Sequence, residues 1–347
     1  MRKQVVNICL LLATLTACQQ EKQKYLNPSD VFGVTDTLRA TILPEPLMTN
    51  NVISRIYHTP KGLILNTQID KYVIQLIDTT TGKRLTSAGR IGRGPDELIN
   101  PSGMSYNYDN GSYFVWDYNL SRLDMFSVND SIVKKRSMSN IKLTLQTLDA
   151  ITDTTFAALD FCPDQSIGII DTNGRYLSRI PYKVIDDKSI DYKIHYVNTN
   201  MDLSLDKQYM VASCFQFPYL SLYSIKDNKL SIVWEKMVFK PKYKLTNNWL
   251  RIDNEQLKGF SGSTIRNQCI YLCSHGLTKG EWLKNDKTGR KTNHTYILVF
   301  NLKGEFVRSY VMDKYFAIYT ISPDGRTLYA VIDDPDLYIA KYSLYEK

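Results

Sequence analysis

The chain has 347 residues, 22% of them charged and 43% hydrophobic. That balance is too apolar for a disordered chain, and the length suits one large domain or two ordinary ones. With only 17 Gly and 12 Pro it is neither collagen-like nor of low complexity, and its net charge of +8 is scattered with no basic helix, which argues against nucleic acid as a partner.

Arg2 and Lys3 open the chain, an apolar run follows from Val5 to Leu15, and Leu15-Thr16-Ala17-Cys18 ends it. The run is too short for an ordinary membrane span and has the layout of an export signal. LTAC resembles the lipobox of bacterial lipoproteins. The resemblance implies cleavage after residue 17 and acylation of Cys18, and the loss of Arg2 and Lys3 would lower the net charge by two. Each buried CH₂ of an acyl chain contributes about 0.8 kcal/mol, so a multiply acylated Cys18 would be held firmly in a membrane. Gln19, where an inner-membrane lipoprotein would carry Asp, implies the outer membrane by the same resemblance. Residues 18–30 are polar without apolar periodicity and read as a flexible tether. The expected organisation is a signal peptide over 1–17, a tether over 18–30 and a folded domain over 31–347.

Past the tether, helical periodicity is nearly absent. Short runs of β-branched and aromatic residues alternate with turn residues, the pattern of an all-β domain. Thr37 to Leu43 is an isolated strand-like run. After it one unit recurs: turn, apolar strand, polar loop, apolar strand, turn. The copies begin at Gly62, Gly111, Thr154, Asp206, Asn267 and Gly325, and the fifth is interrupted by an insertion from Thr278 to Asn293. The spacing is that of four-stranded propeller blades. Each copy supplies the middle strands, b and c. The outer strand d follows, as in Arg175–Ile180, and the inner strand a precedes, as in Ala317–Ile321 before the Ser322-Pro323-Asp324-Gly325 turn. The sixth copy ends with its strand c, and the resulting edge needs a partner. Residues 37–43 are expected to pair beside residues 337–345 and close a six-bladed ring; the alternative is a separate N-terminal strand packed elsewhere.

The chain resembles the six-bladed propeller lipoproteins of Bacteroidetes, described as TolB-like or NHL-like. The sharpest local feature is Gly89-Arg90-Ile91-Gly92-Arg93-Gly94-Pro95-Asp96-Glu97-Leu98, close to that family's G-x-G-x-GP-x-E-[FL] run, with Asp96 where Gly is common. The family has no common activity, so the resemblance implies fold and anchoring rather than a reaction.

Strands alternate in direction, so b–c loops and d–a connectors open on the same face of the ring. That face gathers the candidate ligand-binding residues Asp70, Arg90, Arg93, Glu97, Asp117, Tyr118, His275, Trp282, Asp333 and Asp334. Arg90 and Arg93 could meet an acidic ligand, with backbone N–H groups between the glycines; the plainer reading is a demanding blade connector. The insertion could be a flap or a solvated hairpin. Asp and Asn in such loops also simply cap turns. Trp116 reads as core, whereas Trp249 and Trp282 are in polar contexts that suit a sugar platform. Cys162, Cys214, Cys269 and Cys273 read as buried thiols, with a Cys162–Cys214 bridge as the alternative. The four histidines are far apart, no H-E-x-x-H or G-x-S-x-G occurs, and the 333–336 acidic cluster lacks the calcium-loop pattern. No cofactor is expected.

The expected function is a cell-envelope binding scaffold, anchored to the membrane by lipid, that takes an envelope protein, a glycan or a peptide on its loop-rich face. The competing expectation is a metal-dependent hydrolase or lactonase at the ring centre, since six-bladed enzymes of that kind hold a cation with Glu, Asn and Asp from several blades. Three or more carboxylates or amides converging on the channel mouth would favour the enzyme.

Overall fold

A computed structural model describes residues 25–33, 36–49, 53–129, 131–139, 141, 143, 145–160, 165–185, 190, 198–247, 249–288, 294–333 and 336–344. It is an all-β propeller of six antiparallel blades arranged around one axis. Blade one spans Arg55–Arg90, blade two Pro101–Ser139, blade three Leu145–Pro181, blade four Thr199–Met237, blade five Gly262–Met312, and blade six Tyr319–Ser343. All six repeat copies supply strands b and c of their blades, as expected from the sequence. Pairing is by simple hairpins, Ala157 opposite Ile169 in blade three and Tyr271 opposite Val299 in blade five.

The core is divided in six, one apolar cluster between each pair of neighbouring blades. The alternation along each strand explains this. In blade three Ala157, Leu159, Ile167 and Ile169 face blade four, while Phe156, Ala158 and Ile170 face blade two. A middle strand thus has both faces buried and reads as a continuous apolar run, such as Ser112–Asp117, whose every residue is buried. Trp116 is 1% exposed and belongs to the core, as expected. Outer strands have one free face and alternate, as in Tyr176–Pro181.

The ring is closed by the N-terminal segment. Thr41 and Ile42 pair antiparallel with Lys341 and Ala340, and the N–H groups of Leu43 and Leu47 continue the ladder onto Ile339 and Leu337. The first part of the expected strand does something else. Thr37 and Leu38 pair in parallel with Val311 and Met312, adding a fifth strand to blade five. The segment therefore staples two neighbouring blades, because a seven-residue run long enough for one edge is bent across both. Upstream, Asn27 caps a short helix, Pro28–Phe32, whose Val31 is fully buried and whose Phe32 packs against Phe239 and Tyr296. Leu26 N–H bonds Val238 O at 2.9 Å. The last residues read as tether are thus docked on blades four and five; Asn-Pro-Ser-Asp is a helix-start signal.

Two elements lie outside the expected repeat. A hairpin of Tyr243–Thr246 and Trp249–Ile252 follows blade four in the chain and packs Tyr243, Leu245, Leu250 and Ile252 against the cluster between blades three and four, with Trp249 at 54% exposure. The insertion in blade five forms a helix, Lys279–Thr288, rather than a hairpin. Thr278 and Glu281 make a capping box at its start: Glu281 Oε2 accepts the Thr278 N–H at 2.8 Å, and Thr278 Oγ1 accepts the Glu281 N–H at 3.3 Å. Cys214, Cys269 and Cys273 are free thiols, so a Cys162–Cys214 bridge is not made; Cys162 itself lies outside the described residues. Burial raises the pKa of both Cys214 and Cys273 to about 12, which keeps them inert thiols.

Leu43 is 4% exposed and carries the closing ladder, so Leu43→Ala should lower unfolding stability in urea by about 2–5 kcal/mol. Met48, 77% exposed, serves as the control, and Met48→Ala should leave the midpoint unchanged.

Candidate functional site at the ring centre

The inner strands surround a cavity of about 190 Å³ on the axis, lined by Ser54, Ser102, Gln146, Asn198, Asn200 and Ser263 among others. Every blade contributes lining residues, mostly from the beginning of its strand a. Those beginnings are fed by the d–a connectors, so the well belongs to the loop-rich face. Its walls are short hydroxyl and amide side chains. Gln146 Nε2 donates to Asn198 Oδ1 at 2.9 Å, and Asn198 N–H donates to Gln216 Oε1 at 2.7 Å, which links the wall to the b–c loop of blade four. Gln146 Oε1 and Ser263 Oγ are buried without a hydrogen-bond partner among the described residues.

Two arginines form the floor. Arg55 donates through Nη2 to Asp149 Oδ2 at 3.2 Å and Met201 O at 2.6 Å, and through Nη1 to Thr147 Oγ1 at 3.0 Å. Arg266, its side chain 1% exposed, donates through Nη1 to Asp202 Oδ2 at 2.9 Å and through Nη2 to the Tyr108 hydroxyl at 3.1 Å. One guanidinium thus joins blades one, three and four, the other blades two, four and five. Burial opposes the Arg55 charge, but Asp149, Tyr57 and Asp202 around it hold its pKa above the ordinary value. Asp149 fares differently: burial lifts its pKa to about 6 against the pull of Arg55, and the neighbouring Asp202 adds to the rise. Desolvation outweighs the attraction of Arg55, whose guanidinium also donates to Met104 O, Thr147 Oγ1 and Met201 O.

Around the well, the expected site residues separate into two groups. The first holds the loops together. Arg90 Nε lies 3.2 Å from Glu97 Oε1, while Glu97 Oε2 accepts the Gly94 N–H at 2.7 Å. The anion seat expected among the glycines is thus filled by the chain's own carboxylate, and a Cβ on Gly92 would lie 1.9 Å from Glu97 Oε2. Asp117, fully buried, accepts from the N–H groups of Ile99, Asn100 and Leu120. Arg122 donates to Pro95 O and Glu97 O, tying the b–c loop of blade two to the preceding d–a connector. Asp70 pairs with Arg84 at 3.1 Å. Arg93 and Tyr118 are exposed, as is Asp333; Asp334 lies outside the described residues.

The second group is an aromatic cage over blades four to six. His275 packs against Trp282 and Tyr315, with ring centroids 5.8 and 4.8 Å away, and Trp282 meets Phe215 edge-on at 5.4 Å. Lys258 Nζ sits 3.7 Å from the Phe215 centroid and 4.8 Å from that of Trp282. Burial, then the nearby Lys258, lowers the His275 pKa to about 4, and neither of its nitrogens has a hydrogen-bond partner among the described residues. The loop that begins at Phe215 was legible as part of this face, whereas Lys258 and Tyr315 were not, nor were Arg55, Asp149, Asp202 and Arg266. Their one sequence signal is charge inside strand a, at positions where a polar residue otherwise reads as strand-end chemistry.

Among the described residues, no three of His, Cys, Asp and Glu are placed together to hold a metal ion. The two carboxylates of the floor are each engaged by an arginine.

Six antiparallel blades, a well closed below by ion pairs and a ring latched by its N-terminal strand define a six-bladed β-propeller. The family model "TolB-like 6-blade propeller-like" matches residues 79–324, and the chain belongs to that family. Among solved structures, it is similar to a member of the DUF4221 family from Bacteroides vulgatus, at 14% identity and a TM-score of 0.56 over 89% of this chain and 96% of that one. It is also similar to U3-55K, at 9% identity and a TM-score of 0.51 over 88% and 98%. At such identities the likeness is one of fold. No curated protein sequence matches the chain.

Arg55→Met would leave the Asp149 carboxylate buried and unpaired, a change that destabilises by about 3–5 kcal/mol at neutral pH. The folded-state pKa of Asp149 would rise further above its unfolded value. The loss relative to wild type should therefore be small near pH 4 and grow as pH rises through that pKa, which urea unfolding across pH 4–8 measures.

Proposed function

We propose that the chain is a cell-envelope lipoprotein, anchored through Cys18, whose propeller binds a protein, glycan or peptide ligand in the central well and on the loops around it. The preformed well carries this reading: a polar cavity on the loop-rich face, held by two ion pairs that join four blades, loses little order when a ligand enters. The position of the N-terminal segment supports the anchoring. Leu26 docks beside Val238, at the end of the outer strand of blade four, where the chain turns toward the loop-rich face. The residues between Cys18 and Leu26 span at most about 30 Å when extended, so an acylated Cys18 would keep the well mouth close to the bilayer. No helix among the described residues is long and apolar enough to cross a membrane. Binding is favoured over a metal-dependent hydrolase because the floor carboxylates, the natural cation ligands at such a centre, are neutralised by Arg55 and Arg266.

Ser102 lines the well and is exposed, so Ser102→Trp fills the mouth without entering the core. Capture of partners or glycans from envelope extract should be lost in Ser102→Trp and retained in Arg90→Ala/Arg93→Ala, with both variants keeping the wild-type melting temperature. Capture unaffected by Ser102→Trp would remove the well as the site. For the anchor, Cys18→Ser should move the protein from the membrane pellet to the soluble fraction; retention in the pellet would refute acylation.

A further inference from the structure

The well and its rim make different chemical demands. The wall of the well is made of hydroxyl and amide side chains, among them Ser54, Ser102 and Asn200. A simple anion can use only the donors of such a wall. Ligand hydroxyl groups can use donors and acceptors alike, since each donates and accepts at once. The volume of about 190 Å³ accommodates a compact ligand of sugar size by the measure in which one water needs roughly 10–15 Å³.

The rim asks for a negative charge. Lys258 is half-buried between Phe215 and Trp282, and no carboxylate is within ion-pair distance of it among the described residues. Its charged neighbour Lys279, whose Nζ bonds Ile252 O, is of like sign. Cation–π contact satisfies the ammonium on its aromatic side only. The cage is close to the well along the chain: Lys258 is three residues before Ser261, which lines the cavity, and Tyr315 is two before Ala317, which also does. Phe215 N–H bonds Asn198 O at 2.8 Å, and Asn198 is itself part of the wall.

Building on the binding role proposed above, we propose that the site takes an acidic oligosaccharide, with sugar hydroxyls meeting the hydroxyl and amide side chains of the well and a uronate carboxylate meeting Lys258 at the rim. The groups facing Lys258 leave it as the one that titrates near neutrality. Cys214 is a thiol up to about 12, His275 is neutral above about 4, burial pushes Tyr315 upward, and Lys279 only repels. Burial, with Lys279 adding to it, lowers the Lys258 pKa to about 8. A carboxylate bound to the ammonium favours the protonated form. Affinity should therefore be full below that pKa and fall as pH rises from 7 to 9.

The test is calorimetric titration of the full chain in detergent with tetragalacturonate, its methyl ester, maltotetraose and hexaglutamate. Tetragalacturonate should bind, with the ester and maltotetraose weaker by about tenfold. Lys258→Met should reduce acid binding to the ester's level and leave ester binding unchanged, a pattern that general loss of structure would not give. Lys258→Arg should keep binding and remove its decline between pH 7 and 9. Acid and ester binding equally, or insensitivity to Lys258→Met, would overturn the carboxylate contact. Hexaglutamate binding as well as tetragalacturonate, or no tetragalacturonate binding at about 10 mM, would overturn the sugar acid. In those cases the wider binding role still stands or falls separately, by whether partner capture remains sensitive to Ser102→Trp.

Discussion

Blade six draws only three strands from the C-terminal part of the chain, and the backbone groups along the outer edge of Leu337–Ser343 require partners. The N-terminal segment meets that need with the ladder from Thr41 to Leu47. Six separate apolar clusters, each shared between two blades, make this joint matter beyond blade six. An open ring would leave two blade faces without a neighbour and would let the inner strands spread. The well exists only while the ring is closed, because its lining is drawn from every blade. The parallel pairing of Thr37 and Leu38 on blade five makes the staple span the last two blades rather than one.

A second set of constraints operates at the axis. Arg55 and Arg266 replace the apolar packing that fills the blade interfaces with directional bonds to backbone carbonyls, hydroxyls and carboxylates of other blades. Such pairs contribute little net stability when buried, since desolvation offsets their attraction. Their value is geometric: they hold the inner strands in one register and leave a polar floor under a polar well. The raised pKa of Asp149 records the tension in this arrangement.

The loop-rich face divides its charged residues between holding and contacting. Glu97, Arg122 and Asp117 are used up in keeping d–a connectors against b–c loops. Lys258 has no such acidic partner among the described residues, and its ammonium lies against the Phe215 and Trp282 rings instead. Phe215, His275 and Trp282 around it come from blades four and five and Tyr315 from the connector into blade six, and the packing of neighbouring blades brings them together.

The blade count, the middle strands and the closing role of the N-terminal run were legible in the sequence because a middle strand buried on both faces must be apolar throughout, and six such pairs at blade spacing admit few arrangements. The Thr278–Glu281 capping box was also there to be read, but a ten-residue helix with little apolar periodicity leaves no other trace. The site was not legible in the same way. Arg90, Arg93 and Glu97 stood out by motif, yet Arg90 pairs with Glu97, Glu97 accepts the Gly94 N–H, and Arg93 is exposed. Arg55, Arg266, Asp149 and Asp202 are isolated charges in separate strands, far apart in sequence. Periodicity reports which side of a strand is buried, whereas convergence on an axis depends on how blades are rotated about it, and only the closed ring settles that.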